Sequence, residues 1–293
     1  MDIVASSEDV GIYCSRDHRI SFFNSPYLAH HCYTALDLYP KRGFGDAALS
    51  PARGVVTKVR QVKCPKGKYF ESSGFDYVIL MKSLENSERL IKVLHVIPTV
   101  KIGELVEPGQ DLGFLLRSGY FNFWTEPHIH VEVRNFSDPI RARGGFKIKR
   151  ITRIDEADPV KDLKGTAIEV RPEYSLISLE GASAQGLPAE IGANIGVLDA
   201  GLPHYGWIGI HAHDALPIGE AAKLCGKKIG TVKTAYQNMG LAKCGDFSVI
   251  VRNSQVGLSL YLHLSPNPLV KVVPPRPGAL RIKKFEEVSI EIV

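Results

Sequence analysis

The sequence predicts a mainly β protein built in two parts, and three observations carry that expectation. Hydrophobic residues fall in short β-branched runs punctuated by glycine and proline. Helix-period patterning is scarce, its best instance being the short IGEAAKLCG, which reads as a single helical turn or the lip of a β loop. A length of 293 residues with 44% hydrophobic content is about two domains' worth of core-forming chain.

The strand-like runs are, in order, GVVTKVRQV, FDYVILMK, RLIKVLHVIP, HIHVEVR, FSVIVRN, VGLSLYLHL and VSIEIV. Each is rich in Val, Ile or aromatic residues and too short for a helix of ordinary length, which favours antiparallel strands. Between the fourth and fifth runs, RGGFKIKRITRIDEADPVKDLKG loses alternation and gains charge, glycine and proline, as a connector does. The expected domains are therefore 1–154 and 155–293. A faint echo crosses that boundary: IGELVEPGQDLG from Ile102 and IGEAAKLCGKKIG from Ile218 share a turn-like start, so the second domain reads as a degenerate repeat of the β unit.

Composition excludes several classes. The five cysteines are widely spaced with no CxxC, which argues against both a disulfide framework and a thiolate zinc finger. The net charge of +5 is spread along the chain, whereas nucleic-acid binders concentrate it on one face. No apolar run approaches the roughly 18 residues that a membrane span requires, and no secretory leader pattern opens the chain, so the expectation is a cytoplasmic protein with neither membrane nor nucleic acid as partner. GxSxG, HExxH and GxGxxG are absent; LCGKKIGT lacks the spacing and hydroxyl of a phosphate loop, and Met81-Lys82 lacks the tight hairpin of a lipoyl-carrying lysine.

The chemistry concentrates in two segments, HHCYTALDLYP and EPHIHVEVR. On a strand, residues i and i+2 share a face with Cα atoms about 6.6 Å apart, so His128, His130 and Glu132 point the same way. Two imidazoles at that separation can serve one metal site, one as ligand and the other addressing a water. Upstream, His30 or His31 followed by Asp37 supplies the remaining ligand types. Two histidines and one aspartate leave a fourth tetrahedral position open, as a catalytic zinc site requires. His95, in the apolar run RLIKVLHVIP, needs a hydrogen-bonding partner wherever it is buried. Phe121, Phe123 and Trp124, just ahead of Pro127, are candidates for a cleft wall. A second HxH pair in DAGLPHYGWIGIHAHD, with His204, His211, His213 and Asp214, has no upstream ligand set of its own; Tyr205 and Trp207 suit a groove or an interface.

HHCYTALD, SPARGVVTKV, LHVIPTVKIGELVEPGQDLG and EPHIHVEVR, in that order, resemble the lysostaphin-type zinc metallopeptidases over roughly residues 20–135. The resemblance implies a duplicated-hybrid-motif antiparallel β domain and a zinc-dependent endopeptidase acting on a peptide or peptidoglycan-like substrate. It implies Asp37 and His130 as zinc ligands with His31 as the third, His30 being its alternative. It further implies His128 as general base and His95 as a group stabilising the tetrahedral intermediate.

Overall fold

The computed structural model describes residues 1–155, 157–180, 185–265 and 269–293, so Glu156 of the expected connector lies outside the described residues. The chain forms two compact units. One comprises Met1–Ile20 and Tyr27–Thr152, the other Ser21–Pro26 and Arg153–Val293. A division in simple chain order therefore misses one feature: six residues near the start of the chain belong to the second unit.

The first unit contains β1 (Asp2–Ser7), β2 (Val10–Cys14), β3 (Arg19–Ser21, whose last residue is assigned to the second unit), α1 (Leu28–His31), β4 (Leu36–Tyr39), β5 (Ala47–Leu49), β6 (Gly54–Lys63) and β7 (Phe75–Ser83). It continues with β8 (Leu90–Leu94), β9 (Val96–Pro98), β10 (Leu105–Val106), β11 (Asp111–Leu115), β12 (Ile129–Arg134) and β13 (Lys149–Arg150). Its main sheet has the order β10, β6, β7, β8, β12, β4, β3, flanked by two three-stranded sheets, β13-β1-β2 and β5-β11-β9. The basic connector expected after residue 143 contributes β13, whose Lys149 and Arg150 pair with Ser6 and Ala5 of β1.

The period-2 alternation of HIHVEVR explains how β12 sits in this sheet. Ile129, Val131 and Val133 point to one side and are buried. His130, Glu132 and Arg134 point to the other and are buried as well, so this face of the sheet carries polar groups out of water. Burial of charge is tolerable only with partners. Glu132 lies opposite Lys92 of β8 in register and accepts from its Nζ at 2.6 Å, and it also accepts from Arg134 Nη1 at 2.9 Å. Register also carries Asp37 of β4 to a position opposite His130, with Leu94 on the other flank of His130 and Val78 of β7 beyond. Asp37, His130 and, two residues before Val78, Asp76 thus share one face.

RLIKVLHVIP, expected as one strand, is two. His95 takes a left-handed φ of 68° between β8 and β9, a conformation that costs a non-glycine residue free energy and persists only when held.

The second unit contains β14 (Leu163–Val170), β15 (Ser175–Leu179), β16 (Leu187–Ile191), β17 (Asn194–Leu202), β18 (Trp207–Ala212), β19 (Ala221–Leu224) and β20 (Lys227–Tyr236). The remainder are β21 (Met239–Cys244), β22 (Val249–Val251), β23 (Ser254–Ser259), β24 (Leu262–His263), β25 (Leu269–Val273) and β26 (Glu287–Ile292). Antiparallel pairing runs in the order β16, β19, β20, β21, β18, β17 and returns to β16, closing a six-stranded barrel without edges. A second closed circuit runs β23, β22, β26, β14, β15, β25 and back to β23. IGEAAKLCG, left open between a helical turn and a β lip, is strand β19.

The two IGE segments adopt the same local geometry. Gly103 and Gly219 have φ of 90° and 97°, where any side chain would be strained. The Gly103 N–H donates to Val56 O at 2.8 Å and the Val56 N–H to Glu104 O at 2.9 Å; Gly219 and Val232, with Glu220, repeat the pair at 2.9 Å each. In both places a register shift follows at once, between Val56 and Lys58 and between Val232 and Thr234.

Candidate metal centre

The site is assembled from three pieces of local structure in the first unit. The first is α1, a single turn of LAHH ended by Tyr33 at φ 63° and by Thr34, whose N–H and hydroxyl both donate to Ala29 O at 2.9 Å. Neighbouring helical residues point about 100° apart, so His30 and His31 cannot face the same centre. His30 is the one turned inward, 1% exposed, with Nε2 3.5 Å from Asp37 Oδ2. The second piece is β4, which carries Asp37, and the third is β12 with the loop before it.

His30, Asp37 and His130 each offer one ligand atom, and these atoms all lie within 4.8 Å of one another. His31, preferred over His30 by the sequence reading, is half-buried and does not belong to the group. His130 Nδ1 lies 2.8 Å from Asp37 Oδ1, and its Nε2 lies 3.2 Å from Glu132 Oε1. His128, immediately before β12, directs Nδ1 to Glu126 O at 3.0 Å and Nε2 toward Asp37 Oδ2 at 3.7 Å. His95 lies beside them, its ring centroid 5.0 Å from that of His128 and 6.0 Å from that of His130. All the sequence-predicted residues except His31 therefore converge.

The electrostatics suit a cation. Burial alone would raise the Asp37 carboxyl, yet the charges of His30 and His128 and hydrogen bonds from His130 and His30 hold it well below the usual carboxylate range. Burial disfavours a charged His130, but hydrogen bonds to Asp37 and Glu132 and the charge of both lift it to about 9. Burial pushes His128 the other way, down to about 4, so its ring is neutral at neutral pH. Glu132 falls to about 2: burial opposes this, and His130 and Lys92 overcome it.

These residues fit zinc. Bonds of roughly 2.0–2.1 Å in tetrahedral geometry place ligand atoms about 3.3 Å apart, and the observed separations of 2.8 and 3.5 Å to Asp37 bracket that value. Two nitrogens and one oxygen are zinc's ordinary donors in a catalytic site. Glu132, through the second nitrogen of His130, is the kind of outer carboxylate that fixes a ligand histidine's orientation.

Aromatic rings pack around the two further imidazoles. Phe121 lies 4.6 Å from both His95 and His128, and Tyr39 lies 4.8 Å from His128. Phe123 and Trp124 pack on each other at 4.7 Å, and Phe121 of the expected aromatic wall is in ring contact with the histidines. The sequence reading missed Tyr39, although its i+2 spacing from Asp37 marks it for the same face. It also missed Asp76, a lone carboxylate in an apolar strand.

In the second unit the HxH pair does not form a comparable centre. His211 is fully buried with Nε2 3.2 Å from Asp199 Oδ2, while His213 is exposed beside Asp214. His204 is exposed as well. No further group of metal-ligating side chains occurs among the described residues. Asp199 instead holds the Ser21–Pro26 segment, accepting from Ser21 Oγ at 2.6 Å, Phe22 N–H at 2.6 Å and Phe23 N–H at 3.1 Å. A cavity of about 450 Å³ in this unit, lined by Asp155, Asp158, Ile195, His213, Asp214 and Leu216 among others, contains none of the residues of the metal group.

Residues 11–150 match the model of the N-terminal domain of a family described as a domain of unknown function, DUF8155, and residues 159–293 match the model of its C-terminal domain. The chain belongs to the DUF8155 family. No curated protein sequence matches it. Among solved structures it is similar to lysostaphin in solution, at 12% identity and a TM-score of 0.30 over 82% of this chain and 99% of that one. It is also similar to the antimicrobial peptidase lysostaphin from Staphylococcus simulans, at 11% identity and a TM-score of 0.30 over 94% and 100%. Superposition at that level does not establish correspondence between folds, so the reading of this DUF8155 site rests on its own geometry. No described helix is long and apolar enough to cross a membrane.

Proposed function

We propose that this protein is a zinc-dependent amide hydrolase, an endopeptidase acting on a peptide or peptidoglycan-like substrate. The observation that carries the reading is the buried Asp37 carboxylate faced by His30, His130 and His128, with a donor set and spacing suited to zinc. When bound, zinc supplies Lewis acidity, polarising a carbonyl and bringing the pKa of a water to about 7.

The chain's own groups do the rest. His30, Asp37 and His130 would hold the ion, and Glu132 orients His130. His128, neutral and tied through Nδ1 to Glu126 O, offers Nε2 as a proton acceptor on the Asp37 side. His95 stands next to it, its ring centroid 5.0 Å from that of His128. Phe121 and Tyr39 limit water around both rings.

The test pairs elemental analysis with peptide hydrolysis. One zinc per chain, and cleavage within a broad panel of quenched fluorescent peptides that His128→Ala abolishes while retaining zinc, is the expected result. Zinc without cleavage of any peptide or peptidoglycan fragment would replace this reading with a metal-holding binding module.

A further inference from the structure

Asp76 is not one of the metal group, and two of its four hydrogen bonds go to one residue, His95. It lies on β7, with no exposure to solvent, on the sheet face that carries Asp37 and His130. Its Oδ1 accepts from the backbone N–H of His95 at 3.1 Å and from that of Tyr77 at 2.7 Å, and its Oδ2 meets His95 Nδ1 at 2.6 Å. The Ser118 hydroxyl also bonds to it. The same carboxylate thus grips His95 by backbone and ring, at a residue whose φ of 68° needs such a hold. The carbonyl of His95 is taken as well, accepting from Leu116 N–H at 2.9 Å.

We propose that Asp76 is a positioning residue that fixes the orientation and tautomer of His95, so that this ring meets the substrate through an unprotonated Nε2. A carboxylate can only accept, so the neutral ring keeps its proton on Nδ1. Nε2 is the nitrogen that Asp76 leaves untouched, in a ring whose neighbours Phe121, His128 and His130 lie at centroid distances of 4.6, 5.0 and 6.0 Å.

This deepens the hydrolase reading and rests on it, and it changes His95's work from donor to acceptor. A neutral ring in this tautomer has no Nε2–H to offer an oxyanion. His128 takes one proton of the attacking water and returns it to the departing nitrogen, which leaves as the amine. His95 takes the second as the product carboxylate forms, the fixed Asp76 charge balancing the imidazolium, and releases it to solvent. The logic is that of a carboxylate-oriented histidine in acyl transfer, reached through a different arrangement of strands.

Asp76→Asn separates orientation from bulk. The amide oxygen can still accept the two backbone N–H groups, but the NH₂ group now faces His95 Nδ1 and donates to it, forcing the ring's proton to Nε2. The experiment is two-bond ¹⁵N–¹H correlation spectroscopy of the zinc-loaded, ¹⁵N-histidine-labelled full chain, alongside kinetics on the fluorescent peptide panel. We expect Nδ1–H for His95 in the wild type and Nε2–H in Asp76→Asn. The variant should keep its zinc, with kcat lower by about 100- to 10,000-fold and KM changed less than about threefold. Nε2–H in the wild-type neutral ring overturns the proposal, as does unchanged kcat in a variant whose tautomer has switched. Should Asp76→Asn not fold, the wild-type spectrum alone decides. Should the wild type cleave no peptide, the hydrolase reading falls, and the tautomer still reports whether Asp76 orients His95.

Discussion

Replacing His30 with alanine removes one of the three proposed ligands from a buried site, and its consequence for zinc can be worked from the structure. His30 is 1% exposed and its Nε2 lies 3.5 Å from Asp37 Oδ2, so truncation leaves Asp37 and His130 as the remaining pair. Zinc sites with four protein ligands bind with roughly 10–16 kcal/mol, which is about 2.5–4 kcal/mol per ligand. Zinc affinity in His30→Ala is therefore expected to fall by about 100- to 1,000-fold. His31→Ala, which removes a half-buried ring outside the group, is expected to stay within about threefold of wild type. Competition against a chromophoric zinc chelator at fixed pH measures both, with circular dichroism confirming that each variant is folded. A folded His31→Ala that loses zinc while His30→Ala keeps it would refute the assignment and the helical-turn argument behind it.

Three other predictions rest on separate parts of the molecule. Burial, with smaller contributions from Asp2 and Asp17, raises the Cys14 thiol to about 12, and burial puts Cys225 and Cys244 at about 11. Near about pH 8 these thiols stay protonated, so a disulfide reagent should label exposed Cys32 first and Cys14 only on unfolding, as peptide mapping would show. Asp76 falls to about 2 because its bonds to His95, Ser118 and the Tyr77 N–H outweigh burial. A depressed carboxyl contributes stability that is complete above its unfolded value near 4 and is lost as pH falls through about 2. Urea midpoints of zinc-free protein should therefore drop over that window by an amount worth about 2 kcal/mol from this group, less in Asp76→Asn. Asp199→Ala removes the acceptor of the Ser21 hydroxyl and of the Phe22 and Phe23 amides in a fully buried place. It should cost on the order of 3 kcal/mol and open residues 21–26 to limited proteolysis; an uncleaved, equally stable variant would contradict the clamp.

What was legible in the sequence was what local periodicity encodes. HIHVEVR alternates, so the shared face of His128, His130 and Glu132 followed from strand geometry, and β12 delivers it. The IGE echo was visible because its glycines are needed for turns of positive φ, and both turns have that backbone. The choice between His30 and His31 was not legible, because it depends on a one-turn helix too short to declare itself by period and stabilised by bonds from Thr34. His95 looked like a strand residue because its neighbours Leu94 and Val96 are apolar; the break at that point is imposed by Asp76, which is 19 positions away in the chain. Asp199 and Ser21 are 178 positions apart, and no local pattern could pair them or assign Ser21–Pro26 to the second unit.

The central claim is that this chain carries a zinc ion on His30, Asp37 and His130. Elemental analysis of the purified full chain beside Asp37→Ala tests it most directly. The account predicts one zinc per wild-type chain and none retained by folded Asp37→Ala after dialysis. A wild-type protein that holds no stoichiometric metal, even after zinc is supplied, would contradict it.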